Sequence, residues 1–153
     1  MAYTNKDFLG KGWSFPPTFD DTPGRGVDMV SNEVDIRESL EILLNTNLGE
    51  RVMLPEYGSN VRSHLFEAIS NSKNHFLKES IRVAILRYEP RIILNEIYID
   101  HTDYLDGIVK VQIDYTVEST NTRFNLVYPY YREEGTDIPK LFREQIQQTS
   151  IDL

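Results

Sequence analysis

The fold is decided at Arg87-Tyr88-Glu89-Pro90-Arg91-Ile92-Ile93, where a helical pattern of apolar residues stops and a strand pattern begins without a spacer. Pro90 cannot continue a helix, and it pushes the residue before it out of the α region toward extended geometry. The chain must therefore turn at this point. The stretch predicts a helix that ends near Tyr88 and a strand that begins near Arg91.

Glu89 breaks a local rule, because a negative charge near a helix C-terminus is disfavoured by about 0.3–1 kcal/mol. Two interpretations follow. Either Arg87 and Arg91 offset the charge locally, or Glu89 and Arg91 are held out on a rigid proline corner for a partner. The stretch taken alone favours local compensation.

After the corner, apolar residues recur with a period of two, which is typical of strands. The strands are predicted at about 91–100, 108–117 and 123–130, with turn residues between them. The apolar side of the second and third strands includes Val109, Val111, Ile113, Phe124, Leu126 and Tyr128. We expect an antiparallel meander with one buried face, covered by helices. Its third strand is predicted to be an edge that can accept a strand from another chain, although Pro129 limits pairing near its end.

Helical spacing before the corner predicts helices at about 32–47, 60–69 and 73–88. Ser31 or Asn32 is suited to cap the first, and Gly49 is suited to end it. The fold class is therefore α+β. We predict an arm over 1–31, a single domain over 32–134, and a tail over 135–153.

Both ends of the chain differ from the domain in composition. Residues 1–31 are rich in glycine and proline and carry Phe8, Trp13, Phe15 and Phe19, so we expect an extended arm that packs on the domain or on a neighbour. The tail has Ile138, Leu141, Phe142 and Ile146 at helical spacing. A short amphipathic helix that docks on the domain or a neighbour is predicted there.

Composition excludes several classes of partner and site. The chain has 24 acidic and 16 basic residues, a formal charge of −8 and no basic run, so nucleic acid is not expected as a partner. It has no cysteine, which excludes disulfides and thiol nucleophiles and fits assembly in a reducing cytoplasm. No signal peptide or membrane span is predicted, so we expect a soluble protein.

The sequence carries few signs of a catalytic or ligand-binding site. His64, His75 and His101 form no metal-binding pattern, and Gly10-x-Gly12 lacks the third glycine of a dinucleotide fingerprint. Acidic residues at 20–21 and 100–106 lack calcium-loop spacing. Glu89 paired with Glu56 or Glu67 could form a glycosidase site, but sequence cannot supply the separation of their carboxylates. We expect no enzyme, cofactor or metal.

Three motifs nevertheless carry a resemblance to a known family. They are, in order, Gly10-x-Gly12-Trp13-Ser14-Phe15-Pro16, then Ile36-Arg37-Glu38-Ser39-Leu40-x-Ile42-Leu43-Leu44-x-Thr46-x-x-Gly49-Glu50-Arg51-x-Met53-x-Pro55-x-Tyr57-Gly58, and finally Glu89-Pro90-Arg91. Over roughly residues 10–130 the chain resembles the gene-25-type baseplate wedge family. These are sheath initiators of contractile phage tails, type VI secretion systems, tailocins and related injection machines.

The resemblance implies a non-enzymatic subunit present in six copies, one per wedge, and incorporated in a baseplate. It implies that Glu89, Pro90 and Arg91 dock on the helical core bundle of the larger wedge proteins. It also implies that strands 108–117 and 123–130 exchange strands with the first sheath ring, and tube or hub proteins are further candidate partners. Taken together with the arm, the 36–58 motif and the open sheet, Glu89-Pro90-Arg91 is better interpreted as a corner that docks on a partner than as local charge compensation. The alternatives are a peptidoglycan-cleaving glycosidase, similar to a tail lysozyme, and a small regulatory adaptor unrelated to contractile tails.

Overall fold

The computed structural model describes residues 9–20, 26–67 and 70–132. It combines helices with antiparallel sheets, which confirms the α+β class. The strands and helices are β1 Lys11–Trp13, β2 Phe19–Asp20, β3 Gly26–Val27, β4 Met29–Ser31, α1 Asn32–Asn45, α2 Val61–His64, α3 Asn71–Tyr88, β5 Ile92–Asp100, β6 Ile108–Val117 and β7 Thr122–Tyr131, with a 3-10 turn at Tyr104–Asp106.

The largest sheet has the order β5-β6-β7, with both pairings antiparallel. Alternate residues of β6 are buried along its whole length, so one face of the sheet is inside and the other is partly wet. A bulge between Leu94 and Glu96 shifts the β5–β6 register by one residue. Because side chains alternate with a period of two, the bulge lets Ile92 and Ile97 both face the core.

The core lies between that buried face and the two long helices. Each helix is amphipathic, and its buried residues share one side. They are Ile36, Leu40, Leu43 and Leu44 of α1 and Leu77, Ile81, Ala84 and Ile85 of α3. Ser70 caps α3 by accepting a hydrogen bond from the backbone N–H of Lys73 at 3.2 Å. No helix in the described ranges is long and apolar enough to cross a bilayer.

Helix α1 ends at Asn45, two residues before the predicted end, because its last carbonyl groups find partners elsewhere in the chain. The hydroxyl groups of Ser59 and Tyr130 both donate to the Leu44 carbonyl oxygen, at 3.3 and 3.0 Å. The backbone N–H of Ser59 donates to the Thr46 carbonyl oxygen at 2.8 Å. Gly49 lies beyond the helix end, in a turn where its N–H donates to the Pro55 carbonyl oxygen at 2.7 Å.

The predicted extended arm over 1–31 instead folds back on itself where it is described. β1 pairs with β4, and β2 pairs with β3, so the segment forms two short antiparallel ladders. Three of its aromatic side chains keep much of their surface in solvent. Trp13, Phe15 and Phe19 are 63%, 43% and 69% exposed.

The helix predicted over 60–69 is much shorter than expected. α2 covers only Val61–His64, and a turn follows as far as Glu67. Residues 1–8, 21–25, 68–69 and 133–153 lie outside the described residues, and with them the predicted tail helix.

Candidate functional site: the proline corner and the sheet edge

The corner begins where α3 ends. The backbone N–H of Glu89 still bonds the Ile85 carbonyl oxygen at 2.8 Å, but Glu89 has left helical geometry, with φ −130° and ψ 71°. Its side chain turns inward and is only 2% exposed. Arg91 meets it with two parallel bonds, Nε to Oε1 at 2.5 Å and Nη2 to Oε2 at 2.8 Å. This is the bidentate pairing that a guanidinium makes best with a carboxylate.

Arg91 also reaches two other segments through Nη1. That nitrogen donates to Asp35 Oδ2 of α1 at 2.6 Å and to the Leu9 carbonyl oxygen at 2.8 Å. The hydrogen bonds from Arg91 to Glu89, followed by that to Asp35, raise the pKa of Arg91 further above its ordinary value, against the opposing effect of burial. We call Leu9, Asp35, Glu89 and Arg91 the Arg91 cluster; it joins the corner, α1 and the start of the described chain.

The Arg91 cluster explains why positions 10 and 12 are both glycine. A Cβ on Gly12 would overlap the carboxylate of Asp35, and one on Gly10 would lie 3.5 Å from Nη1 of Arg91. Gly10 also has a φ of +91°, which residues with a side chain rarely adopt. The first and third sequence motifs therefore meet in space, around one guanidinium.

The geometry changes the interpretation of Glu89. Its carboxylate is not held out for a partner, because it is buried and bonded within the chain. Arg91 supplies the local compensation. Arg87 does not, since it pairs with Glu56 on the surface. Pro90 is exposed and the Arg91 side chain keeps 28% exposure, so these two residues are the part of the predicted docking motif that a partner can reach.

Aromatic contacts fix the loop beside the corner. The rings of Tyr57 and Tyr88 meet edge to face with centroids 4.9 Å apart, and the Arg51 guanidinium lies 3.9 Å from the centre of the Tyr57 ring. Burial raises the pKa of Tyr57, and nearby Arg51 partly opposes that rise. The 48–58 segment is thus anchored to the end of α3.

The second candidate surface is the edge of the three-stranded sheet. β6 is paired on both sides, so the 108–117 strand has no free backbone for strand exchange. The side chains predicted for that role belong to the core. Val109, Val111 and Ile113 are fully buried, Leu126 is 4% exposed, and Phe124 and Tyr128 pack partly buried against them.

Among the residues that the structure describes, β7 pairs only with β6, so its other edge is free. Pro129 identifies which backbone groups of β7 face that edge. Pro129 lies opposite Lys110 and has no N–H to give to the ladder, so its nitrogen belongs on the unpaired side. The N–H of Arg132, three residues on, donates to Gly107 on the β6 side at 2.7 Å, as the alternation requires. By the same alternation, the backbone groups of Arg123, Asn125 and Val127 point to the free edge.

A hollow of about 460 Å³ lies beside this edge, between α1 and β7. Val34, Phe124 and Val127 supply apolar walls, and Arg37 and Glu33 stand at the α1 side. The sequence pattern did not indicate this hollow, because it depends on how α1 lies relative to β7.

The acidic residues weighed for glycoside hydrolysis are each held beside a cation. Glu89 is bonded to Arg91 and Glu56 to Arg87. Glu67 bonds Lys73 and His64, and the hydrogen bond from Lys73 is the main reason why the pKa of Glu67 lies below its ordinary value. A glycosidase acid needs the opposite shift. Within the described ranges, no three His, Asp or Glu side chains form a group that could hold a metal ion.

The family model described as baseplate wedge protein gp25 matches residues 30–122. This chain belongs to that family. The match includes both the 36–58 motif and the corner. Family members are components of the baseplates of contractile injection systems. No curated protein sequence matches the chain.

Solved structures agree with the assignment. A crystal structure of a candidate tail lysozyme from Geobacter sulfurreducens is 38% identical, with a TM-score of 0.63, over 70% of this chain and 96% of that one. A protein of the anti-feeding prophage baseplate, in a six-fold symmetrised structure, is 25% identical with a TM-score of 0.57, over 90% and 96%. A protein of the type VI secretion system baseplate complex shares the fold, at 16% identity and a TM-score of 0.56, over 66% and 93%.

Proposed function

We propose that this wedge-family chain is a structural subunit without enzymatic activity, which docks on the core helical bundle of larger wedge proteins and receives a strand from the first sheath ring. The free edge of β7 is the observation that carries the sheath half of the proposal. Six copies would surround the tube, in keeping with the six-fold symmetry of the baseplate that contains its anti-feeding prophage relative. Assembly would take place in the cytoplasm.

Strand addition suits a sheath initiator for a physical reason. An added strand gains ladder hydrogen bonds from the backbone groups of Arg123, Asn125 and Val127, whatever its sequence. Apolar side chains on one face of that strand would fill the hollow between α1 and β7. Those side chains would fix the register, since a shift by one residue would turn them outward.

The corner is proposed to dock through Pro90 and the exposed part of Arg91. Glu89 contributes indirectly, because its carboxylate holds the Arg91 guanidinium in place. A Glu89→Ala/Arg91→Ala double variant would not test docking alone, because it would also remove the hydrogen bonds between these two side chains inside the subunit.

A cleaner test changes only the exposed tip. Pro90→Glu places a charge at the tip, and Pro90→Ala is the matched control that removes the ring alone. We expect both variants to fold, with circular dichroism spectra like that of the natural protein. Only Pro90→Glu should be missing from baseplates assembled from the cognate wedge, tube and sheath proteins. Normal incorporation of folded Pro90→Glu would overturn the docking role.

Glycoside hydrolysis is the second candidate, favoured by the description of the Geobacter relative as a candidate tail lysozyme. The cation partners of Glu56, Glu67 and Glu89 argue against it. Purified full-length protein should release no soluble fragments from peptidoglycan. Turnover that Glu89→Gln or Glu56→Gln abolishes would replace the structural assignment with an enzymatic one.

Membership of the baseplate wedge family argues against the other alternative, an adaptor unrelated to contractile tails.

A further inference from the structure

An apolar groove runs along the outer side of α3, facing the 48–58 segment. Its volume is about 560 Å³. Leu48 and Pro55 line one wall, and Phe76, Val83 and Tyr88 line the other. Phe76 and Val83 are 58% and 54% exposed, and Leu48 is 44% exposed, so large apolar side chains meet solvent side by side. Large apolar side chains exposed side by side are a feature of surfaces that bind another segment or protein.

The charged residues that line the groove, Glu56, Glu79 and Arg87, are each paired with another charged side chain. Arg87 bonds Glu56 across the groove, and Arg82 lies 3.6 Å from Glu79. The groove therefore presents no unpaired charge from these four side chains. An occupant that buries an apolar face without adding a charge fits it better than a charged segment does, because a charge buried there would lack a partner.

The chain itself contains such a face beyond Arg132. Ile138, Leu141, Phe142 and Ile146 fall on one side of a helical projection, and the charges of Lys140, Arg143 and Glu144 fall on the other. At 1.5 Å per residue, a helix from 138 to 146 would be about 12 Å long. The α3 stretch that lines the groove, Phe76 to Arg87, is about 16 Å by the same measure.

The described chain ends on the side of the domain where α3 begins, and a series of contacts connects the two. The N–H of Arg132 bonds the Gly107 carbonyl oxygen, and the Tyr104 hydroxyl group, on the same turn as Gly107, donates to the Phe66 carbonyl oxygen at 3.3 Å. Just before Phe66, the His64 ring meets the Phe76 ring with centroids 5.9 Å apart. The six residue steps from Arg132 to Ile138 can span roughly 20 Å. The segment thus starts on the side of the domain toward the Phe76 end of α3.

We propose that the C-terminal segment 133–153 docks intramolecularly in this groove, with Ile138, Leu141, Phe142 and Ile146 against the wall formed by Phe76 and Val83. The occupant is this chain's own tail, neither a second copy nor another baseplate protein. The proposal is independent of the proposed function, because it concerns the isolated subunit.

The absence of cysteine from the natural sequence makes a direct test available. Full-length protein carrying Val83→Cys and Phe142→Cys is compared with protein carrying Leu105→Cys and Phe142→Cys. Leu105 is 98% exposed and lies two residues from Gly107, which Arg132 contacts. A cysteine at Leu105 is therefore close to the start of the tail and measures how fast links form through random collisions alone. A short bifunctional maleimide should link the Val83 pair within one chain at least tenfold faster than the Leu105 pair, at a rate that does not change on dilution.

Equal rates for the two pairs would overturn the proposal. So would links that form only between chains and slow on dilution, since the occupant would then be a second copy.

A second measurement uses the reactivity of a single thiol. Val83→Cys in the full chain should react several-fold more slowly with a soluble thiol reagent than Val83→Cys combined with Phe142→Asp. Leu105→Cys should react alike with and without Phe142→Asp. A Val83→Cys thiol that is equally reactive in both backgrounds, and protected only when wedge proteins are added, would assign the groove to a partner and refute self-docking.

Discussion

Replacing Arg91 with glutamine should destabilise the protein more than replacing Glu89 with glutamine, although the two side chains form one pair. Arg91→Gln leaves the Glu89 carboxylate, which is 2% exposed, without its cation. Breaking a buried pair in this way costs about 3–5 kcal/mol. Glu89→Gln leaves an arginine that keeps Asp35 and the Leu9 carbonyl oxygen and is 28% exposed. Its cost should be that of a lost charge-assisted hydrogen bond, about 1.5–3 kcal/mol.

The free energy of unfolding is measured by urea titration, followed by circular dichroism at 222 nm. The matched control is Arg87→Gln, since the Arg87–Glu56 pair adjoins the same corner but its side chains are 58% and 63% exposed. Exposed pairs contribute about 1 kcal/mol or less. For a chain of this size, each kcal/mol lowers Tm by about 2–4 °C, so the expected order is clear in a thermal scan as well.

A double variant separates the charge from the packing. Glu89→Leu/Arg91→Met removes both charges and keeps similar volume, so it should cost less than Arg91→Gln alone. The reasoning fails if Arg91→Gln costs no more than Arg87→Gln, or if Glu89→Gln is the costlier member of the pair.

Two further predictions concern the end of α1. Gly58→Ala should lower the free energy of unfolding by about 3 kcal/mol, because Gly58 has a φ of +119° and a Cβ there would overlap the Thr46 carbonyl oxygen. Gly49 has a φ of +83° and open space around it, so Gly49→Ala should cost only about 1 kcal/mol in the same urea assay. Equal costs for the two variants would contradict the close approach at Gly58. Burial raises the pKa of Tyr130 above its ordinary value of 10.0, so stability that is present below pH 10 should be lost as the pH rises above it. Tyr130→Phe removes the hydrogen bond to Leu44, so its free energy of unfolding at pH 8 should be lower by about 0.5–1.5 kcal/mol. Between pH 8 and pH 10.5 the variant should lose less further stability than the natural protein does. Identical pH dependence of the two proteins would contradict the role given to Tyr130.

The sheet strands could be predicted from the sequence because their hydrophobic pattern is local. Predicted limits of 91–100, 108–117 and 123–130 compare with Ile92–Asp100, Ile108–Val117 and Thr122–Tyr131. Because one face of the sheet is buried, every second residue of a strand is apolar, and this alternation repeats often enough along each strand to be recognised in the sequence. The proline corner is equally local, since the ring of Pro90 acts on its own neighbours.

Features that depend on distant contacts could not be predicted in this way. The end of α1 is set by Ser59 and Tyr130, and the latter is 86 residues from its partner Leu44. The two ladders of the N-terminal segment have strands of only two or three residues, too short for a periodic signal.

The proline corner also combines a local signal in the sequence with contacts to distant residues. The sequence marked Glu89 as a charge in an unfavourable place, and that observation was informative. It could not say whether the compensating group lay within the chain. The answer depends on Arg91 being held by Asp35 and Leu9, which are 56 and 82 residues away.

The central proposal, that the free edge of β7 templates the sheath, has one direct test in Val127→Pro. The N–H of Val127 faces the unpaired side, so proline there removes a donor from the free edge and leaves the β6–β7 ladder intact. Val127→Thr keeps the donor and the branched shape and is the control.

Particles are assembled with each variant and their own wedge, tube and sheath proteins, then sheath length and the amount of this subunit per baseplate are measured by electron microscopy and quantitative blotting. The account predicts that folded Val127→Pro enters baseplates as well as Val127→Thr does but starts no sheath. Full-length sheaths on Val127→Pro baseplates would contradict it.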